Sequence, residues 1–556
     1  MPTGRRSLLG LAALDLAALV LAALVLAEWG LSGQAVAAPR PDGKKGAPPN
    51  ITVETHRGKV RGTLDGGIKV FKGIPYGAST DGLNRFHPPK PSTNWPGVRD
   101  ALAYGPMCPQ VGRERASYTS SWTYDKEASE DCLVLNVSTP ALRDQRRRPV
   151  MVWLHGGGFS AGSGSRNVFE GTRLAQRGNV VVVTVNHRLS VFGFLYLGHL
   201  GGAEYASSGN AGMLDLVAAL RWVHDNISAF GGDPGNVTIF GQSGGAAKVS
   251  TLMAMPQARG LFHKAIVQSG SHLEGISADE ATKHALTFLA AVDVKPSELQ
   301  RLAKLPTDKM VAGLTKVMGG AGPKPNYSPV VDGIVLPKGP WQPDGPAVSA
   351  GIPMLIGSTR TETTALLGAT HPEYFGLDDA GLPRSLGEWI PDRDVPRVIA
   401  GFRRLMPSAS AGDLFFAITT DRRVRQQAWA QAERKAAQGA APVWLYELDW
   451  ATPVDGGKWG SPHSLDLAFV FDNVGKSEAM VGSGAEPQLL ADQMSSAWIA
   501  FARTGNPKTS AVPAWPVYSS VERATMVFNT RSRVVNDFRG DERALLASLP
   551  LYKVSR

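Results

Sequence analysis

The apolar positions of the chain fall into two recurring patterns. Short β-branched or aromatic runs bounded by turn residues, Gly67-Ile68-Lys69-Val70-Phe71 and Leu133-Val134-Leu135-Asn136-Val137, predict strands early in the chain. Three later runs are apolar almost throughout: Val150-Met151-Val152-Trp153-Leu154, Val180-Val181-Val182-Val183 and Val237-Thr238-Ile239-Phe240. Runs without alternation predict parallel strands covered on both faces, and Pro149 stands at the leading edge of the first, where a strand tolerates proline. Between the second and third, Leu214, Leu216, Val217, Leu220 and Val223 recur at helical spacing. The order strand, helix, strand predicts an α/β fold: one large, mixed, mostly parallel sheet flanked by helices, with hairpin strands on its N-terminal side.

Further along, helical spacing returns at 285–292 and 494–501, interrupted by strand-like segments at 353–357 and 443–448. The stretch 366–439 reads as a helical, lid-like insertion. A chain of 556 residues has room for one large domain or for two, and a sheet flanked by helices grows by loop insertion without splitting. We assign 51–556 to a single catalytic domain, and 38–50, rich in Pro, Gly and Lys, to a disordered leader that cannot bury a core.

Composition narrows the function classes. A hydrophobic content of 43% with ordinary charge describes a globular protein, not a fibrous or disordered one. The net charge of +10 is spread along the chain, with no aromatic-interleaved basic run of the kind a nucleic-acid groove needs. Arg5 and Arg6 precede an apolar run over 8–27, and Ala35-Val36-Ala37 follows in small-residue cleavage spacing, so 1–37 reads as an export signal. Arg5-Arg6-Ser7-Leu8-Leu9 resembles a twin-arginine signal. A retained anchor is the rival reading, but Asp15 near mid-run would cost roughly 2.5–3.5 kcal/mol in a bilayer. The expectation is a secreted or periplasmic protein without a stable span after cleavage. In that setting Cys108 and Cys132, the two cysteines of the chain, predict one disulfide stapling a surface loop, with two free buried thiols as the alternative. Neither has metal-ligand spacing around it, and neither a metal nor a cofactor is expected.

The chemistry concentrates at Gly241-Gln242-Ser243-Gly244-Gly245, a G-x-S-x-G pattern between a strand ending at Phe240 and a helix starting near Gly244. A sharp turn there leaves room only for small neighbours and lifts the Ser243 hydroxyl clear of the sheet. The amides that follow point from a helix N-terminus, where partial positive charge favours an oxyanion. His155-Gly156-Gly157-Gly158-Phe159 leaves the 150–154 strand where this fold supplies further oxyanion donors. A serine hydroxyl needs an imidazole to take its proton and a carboxylate to orient the imidazole, in the chain order Ser, acid, His. Of the later histidines, His284, His371 and His463, the last is best placed, in the turn-rich loop Gly460-Ser461-Pro462-His463-Ser464. Glu362, beyond the 353–357 strand, suits the acid, with Asp332, Asp392 and Asp466 as competitors.

Several separate motifs agree with these assignments: Phe71-Lys72-Gly73-Ile74-Pro75-Tyr76, Arg85-Phe86, Ser129-Glu130-Asp131-Cys132-Leu133, Asn186-His187-Arg188-Leu189 and Ala229-Phe230-Gly231-Gly232-Asp233-Pro234. Together they resemble the type-B carboxylesterase and cholinesterase-like family of α/β-hydrolases, from about Gly58 to Asn536. The resemblance implies Ser243 as nucleophile, Glu362 as acid, His463 as base, and Gly157, Gly158 and Gly244 as oxyanion donors. It also implies a Cys108–Cys132 disulfide, ion pairs of Arg85 with Glu130 and Arg188 with Asp215, and Ser269 supporting Glu362. Trp122 stands at the spacing of an aromatic that binds cationic leaving groups in cholinesterase-like relatives; with Phe159 it is a candidate pocket residue, and packing is the plainer reading.

Three positions depart from the family pattern. Gln242 replaces the usual glutamate before the nucleophile, Gly244 replaces alanine and should make the turn more flexible, and Thr361-Glu362-Thr363 replaces Asp-Glu-Gly. The implied activity is hydrolysis of small to medium, uncharged aryl or alkyl esters through an acyl-enzyme, without cofactor or nucleic-acid partner. An amidase or thioesterase with the same triad, or a non-catalytic binding module of this fold, is the alternative.

Overall fold

The computed structural model describes residues 51–112, 119–123, 127–320 and 323–552. The expected export signal at 1–37 and leader at 38–50 lie outside the described residues. Ile51–Arg556 clusters as one compact unit.

Its frame is an 11-stranded sheet. In chain order the strands are β1 (Thr63–Asp65), β2 (Ile68–Pro75), β3 (Val134–Thr139), β4 (Arg148–Leu154), β5 (Val181–Val185), β6 (Gly232–Gln242), β7 (Lys264–Gln268), β8 (Met354–Thr359), β9 (Val443–Leu448), β10 (Thr525–Phe528) and β11 (Arg533–Val535). In space they run β11, β10, β9, β8, β7, β6, β4, β5, β3, β2, β1. The pairings from β10 through β5 are parallel, and those at both margins are antiparallel. A separate small sheet joins Thr52–Thr55, Gly58–Arg61 and Val98–Asp100.

The central strands read as continuous apolar runs because each buries both faces. On β4, Val150, Val152 and Leu154 enter one core, while Met151 and Trp153 enter the other. Trp153 meets Phe169, Phe240 and Phe471 at ring separations of 5.1, 4.9 and 5.0 Å. Fully burying such a side chain stabilises the fold by roughly 1.5–3 kcal/mol, so few polar substitutions are tolerable along these runs. Helix α1 (Ala211–Asn226) packs into the first core, with Leu216, Val217, Leu220 and Val223 buried; α2 (Gly244–Leu252) follows β6, and α3 (Ala485–Thr504) covers the second core.

Some elements extend past their apolar signal. β6 begins at Gly232, five residues before Val237, because its first residue pairs with Arg148 of β4 across an irregular register. The helix expected at 285–292 starts at Ala278, since Ser277 caps it by accepting the Glu280 N–H. Within 366–439 lie helices Val395–Leu405, Ala411–Thr420 and Gln426–Ala437, the last two joined through a π turn at Asp421–Arg425. This insertion packs into a third apolar cluster, including Trp389, Phe402, Leu414 and Phe415, which Leu546 and Leu549 near the C-terminus join.

Candidate active site

The sheet register brings the carboxyl ends of its central strands level. Leu154 lies opposite Gly241, Gln242 opposite Gln268, and Gln268 opposite Gly357. Loops leaving β4, β6, β8 and β9 therefore meet at one edge, where α/β sheets commonly bind ligands.

β6 turns into α2 through Ser243 alone, at φ 58° and ψ −129°. That backbone region is almost exclusively glycine's, and holding a serine there costs of order 1–3 kcal/mol. Packing around the turn enforces it: the Ser243 N–H donates to Gln268 O at 2.8 Å, and a Cβ on Gly245 would lie 1.9 Å from Leu154 O. The Ser243 side chain is partly exposed, and its hydroxyl makes no side-chain hydrogen bond among the described residues.

Glu362 opens a short helix after β8 and is wholly buried. Its Oε1 accepts the Thr359 N–H at 2.8 Å and its Oε2 meets His463 Nδ1 at 2.5 Å. An ionised carboxylate only accepts, so the imidazole proton sits on Nδ1 and Nε2 presents a lone pair, the tautomer a general base requires. Gln242 Nε2 donates to that atom at 3.1 Å, while Gln242 Oε1 accepts from Ser464 Oγ at 3.0 Å. The His463 ring is thus held by the Glu362 carboxylate on one side and by an amide on the other. The threonines flanking the acid explain the departure from Asp-Glu-Gly. Thr361 donates through its N–H to Ser461 O at 3.0 Å and through Oγ1 to Trp459 O at 2.8 Å, tying the acid's loop to the base's loop. Thr363 Oγ1 donates to Phe416 O at 2.9 Å, anchoring the same turn to the insertion.

Gly157 and Gly158 take φ of 96° and 62°, left-handed conformations that glycine adopts freely. Gly156 passes so close to the elbow that a Cβ there would lie 3.3 Å from Ser243 Cβ. A Cβ on Gly244 would meet Gly158 O at 2.2 Å and Gly158 Cα at 2.4 Å. The 156–158 loop thus occupies the space that a side chain at position 244 would fill. A serine on a strained turn, an imidazole, a carboxylate and two amide-bearing turns in one place form an arrangement that can carry acyl transfer.

The competing acids are engaged elsewhere. Asp332 Oδ1 accepts the amides of Ile334, Val335 and Leu336, Asp392 is exposed, and Asp466 accepts from Gln268 Nε2 at 2.8 Å and Tyr446 OH at 3.2 Å. His284 and His371 lie beside Asn326 O and Glu373.

The sequence model of the carboxylesterase family matches residues 49–380 and 406–544. The chain belongs to that family. Across 507 residues the esterase is 36% identical to a para-nitrobenzyl esterase of Bacillus subtilis, covering 89% of this chain and 98% of that one. It is 32% identical to liver carboxylesterase 1F of Rattus norvegicus over 532 residues, covering 86% and 90%. Among solved structures, a carboxylesterase of Geobacillus stearothermophilus matches with a TM-score of 0.78 at 40% identity, over 89% of this chain and 99% of the other. The unmatched span 381–405 falls inside the insertion.

Not every expected residue of the esterase takes its expected role. Arg85–Glu130 and Arg188–Asp215 form buried ion pairs, each at 2.6 Å. The structure does not show the expected disulfide: in it Cys108 and Cys132 are free thiols buried in the first core, the alternative reading of the pair. Cys108 Sγ accepts the Leu189 N–H at 3.2 Å, and a hydrogen bond to Cys108, then burial, push the Cys132 thiol well above its ordinary range. Both behave as small apolar residues. Ser269 makes no direct hydrogen bond to Glu362: its buried Oγ has no hydrogen-bond partner among the described residues. Trp122 is a packing residue, buried in the second core with its indole N–H donating to Ser477 Oγ at 3.2 Å. Phe159 is buried against Phe194 and His272, at 5.2 and 5.5 Å between rings. Sequence reasoning missed Lys248, whose signal was a lone charge in the otherwise uncharged stretch 244–258.

Proposed function

We propose that the esterase hydrolyses small to medium, uncharged aryl or alkyl carboxylic esters through an acyl-enzyme on Ser243, with His463 as general base and Glu362 as its orienting acid. The observation that carries this reading is the 2.5 Å contact of His463 Nδ1 with Glu362 beside a serine held on a strained elbow. Ser243 Oγ attacks the ester carbonyl and passes its proton to His463 Nε2. For that transfer the Gln242 amide yields its place on Nε2 to the serine hydroxyl. The amides of Gly157, Gly158 and Gly244 receive the oxyanion, and such donors are worth about 2.7–4 kcal/mol each in the transition state. The imidazolium then protonates the departing alcohol, and water, activated by the same imidazole, releases the acid.

Treatment with an organophosphonate followed by peptide mass spectrometry tests the assignment. The adduct is expected on Ser243, and Ser243→Ala should lose turnover of a short-chain aryl ester; an adduct elsewhere, or undiminished turnover, overturns it. A thioester reading draws on one relative, a medium-chain fatty acyl-CoA hydrolase precursor of Anas platyrhynchos, 31% identical over 517 residues. Parallel assays on an acyl-CoA and the matching aryl ester separate the two. We further propose that 1–37 exports the enzyme to the periplasm or exterior and that 366–439 acts as a lid, on the charge and hydropathy pattern of the first and the third apolar cluster into which the second packs.

A further inference from the structure

Lys248 lies on α2, five residues after Ser243, with a relative exposure of 0%. Its Nζ donates to Gly158 O at 2.7 Å and His155 O at 3.1 Å, and stands 5.2 Å from the centre of the Phe159 ring. Among the described residues no carboxylate pairs with it; burial alone acts on the ammonium, pushing it down to about 7. A buried cation without a counter-charge destabilises the fold, and two neutral hydrogen bonds to carbonyls could equally be made by an uncharged amide. Packing therefore does not explain why this position carries a charge.

Its partners do. Both carbonyl groups belong to the loop carrying Gly157 and Gly158, and Gly158 O is the atom that closes against Gly244. Nζ, the 156–158 loop and the start of α2 thus meet at one point. We propose that Lys248 is the positioning residue of the oxyanion hole: its ammonium draws the carbonyl groups of His155 and Gly158 onto α2 and sets positive charge behind the Gly157, Gly158 and Gly244 amides. This rests on Ser243 being the nucleophile.

The surrounding groups make the charge of Lys248 readable. On the loop itself, burial pushes His155 down to about 3. His187, stacked on His155 at 4.8 Å, is pushed well below its ordinary range by burial. Beyond Phe159, burial pushes His272 down to about 4, and Arg188 is held by Asp215. Burial disfavours the charged form of each of these imidazoles, so Lys248 is the group of the cluster whose charge the alkaline range reads. The neutral amine keeps both hydrogen bonds to the carbonyls. Deprotonation thus removes the charge and leaves the packing, which separates an electrostatic role from a structural one.

The test compares the full chain with Lys248→Met, measuring kcat and KM on p-nitrophenyl butyrate across pH and inhibition by an aryl trifluoromethyl ketone, whose hemiketal oxygen occupies the oxyanion site. Wild type should show an alkaline limb in kcat. Lys248→Met should lower kcat about 10–100-fold at slightly acid pH with KM changed less than about twofold, lose that limb, and weaken the ketone by a similar factor. A folded variant with kcat within about twofold of wild type, with unchanged ketone affinity, or with the limb intact overturns the proposal. Should the variant not fold, the wild-type profile still decides: kcat flat through the alkaline range overturns it. Phosphonate labelling of the same samples keeps the two readings apart. Wild type labelled at Ser243 with an unaffected Lys248→Met defeats only the role of Lys248, whereas wild type unlabelled at Ser243 defeats the nucleophile assignment.

Discussion

Replacing Gln242 by glutamate changes one buried atom pair beside the base and leaves the outline of the site intact. Gln242 is nearly wholly buried, and its Nε2 lies 3.1 Å from His463 Nε2 and 3.4 Å from Nδ1. A carboxylate in that place attracts the imidazolium that forms when Ser243 gives up its proton. At an effective dielectric of about 20, unit charges about 3 Å apart attract by about 5 kcal/mol. Taking the new carboxylate out of water offsets much of this, and opposite charges at such range move titrations by about 1–3 pH units. The acid limb of kcat/KM in Gln242→Glu should therefore move to higher pH by that amount, because a stabilised imidazolium keeps its proton longer and the base is lost earlier as pH falls. The retained oxygen still accepts from Ser464 Oγ, so the loop has no reason to move. Initial rates on an uncharged aryl ester, followed across the acid to alkaline range at low substrate, give the limb directly. A limb unshifted within about 0.3 units would refute the reasoning, since one unit corresponds to about 1.4 kcal/mol.

Two further outcomes follow from the packing. Gly244→Ala puts a methyl group 2.2 Å from Gly158 O, so the 156–158 loop must retreat; kcat should fall about 10–100-fold with the count of phosphonate-titrated sites unchanged, and an unaltered kcat would mean the loop yields freely. Asp466 is raised from 3.8 to about 6, chiefly by burial, with the Gln268 hydrogen bond opposing. The folded protein then binds a proton that the unfolded chain releases, so this stabilisation is present below about pH 4 and lost as pH rises through about 6. Asp466→Asn should raise the thermal midpoint at slightly alkaline pH and not near pH 4; an equal gain at both would refute the titration as its cause.

The chain's apolar runs and turn residues determined the α/β architecture, since a strand buried on both faces must be apolar throughout, as 150–154 and 181–183 are. They also determined the elbow, because G-x-S-x-G after such a strand has few other foldings. Helix and strand ends were less legible: Gly232 and Ala278 join their elements through a pairing and a cap, which periodicity does not register. What only the tertiary structure decided are relations between residues distant in sequence. Glu362 is distinguished from Asp466 by which carboxylate reaches His463 Nδ1, a matter of strand register across β8 and β9. That Cys108 and Cys132 lie together in the core, one thiol hydrogen-bonded to the other, is likewise a relation that tertiary packing sets. The contacts of Gly244 with Gly158, and of the Lys248 ammonium with the carbonyls of His155 and Gly158, are further relations of this kind. A sequence records local preference and burial through composition, whereas distances between loops depend on how every strand between them is paired.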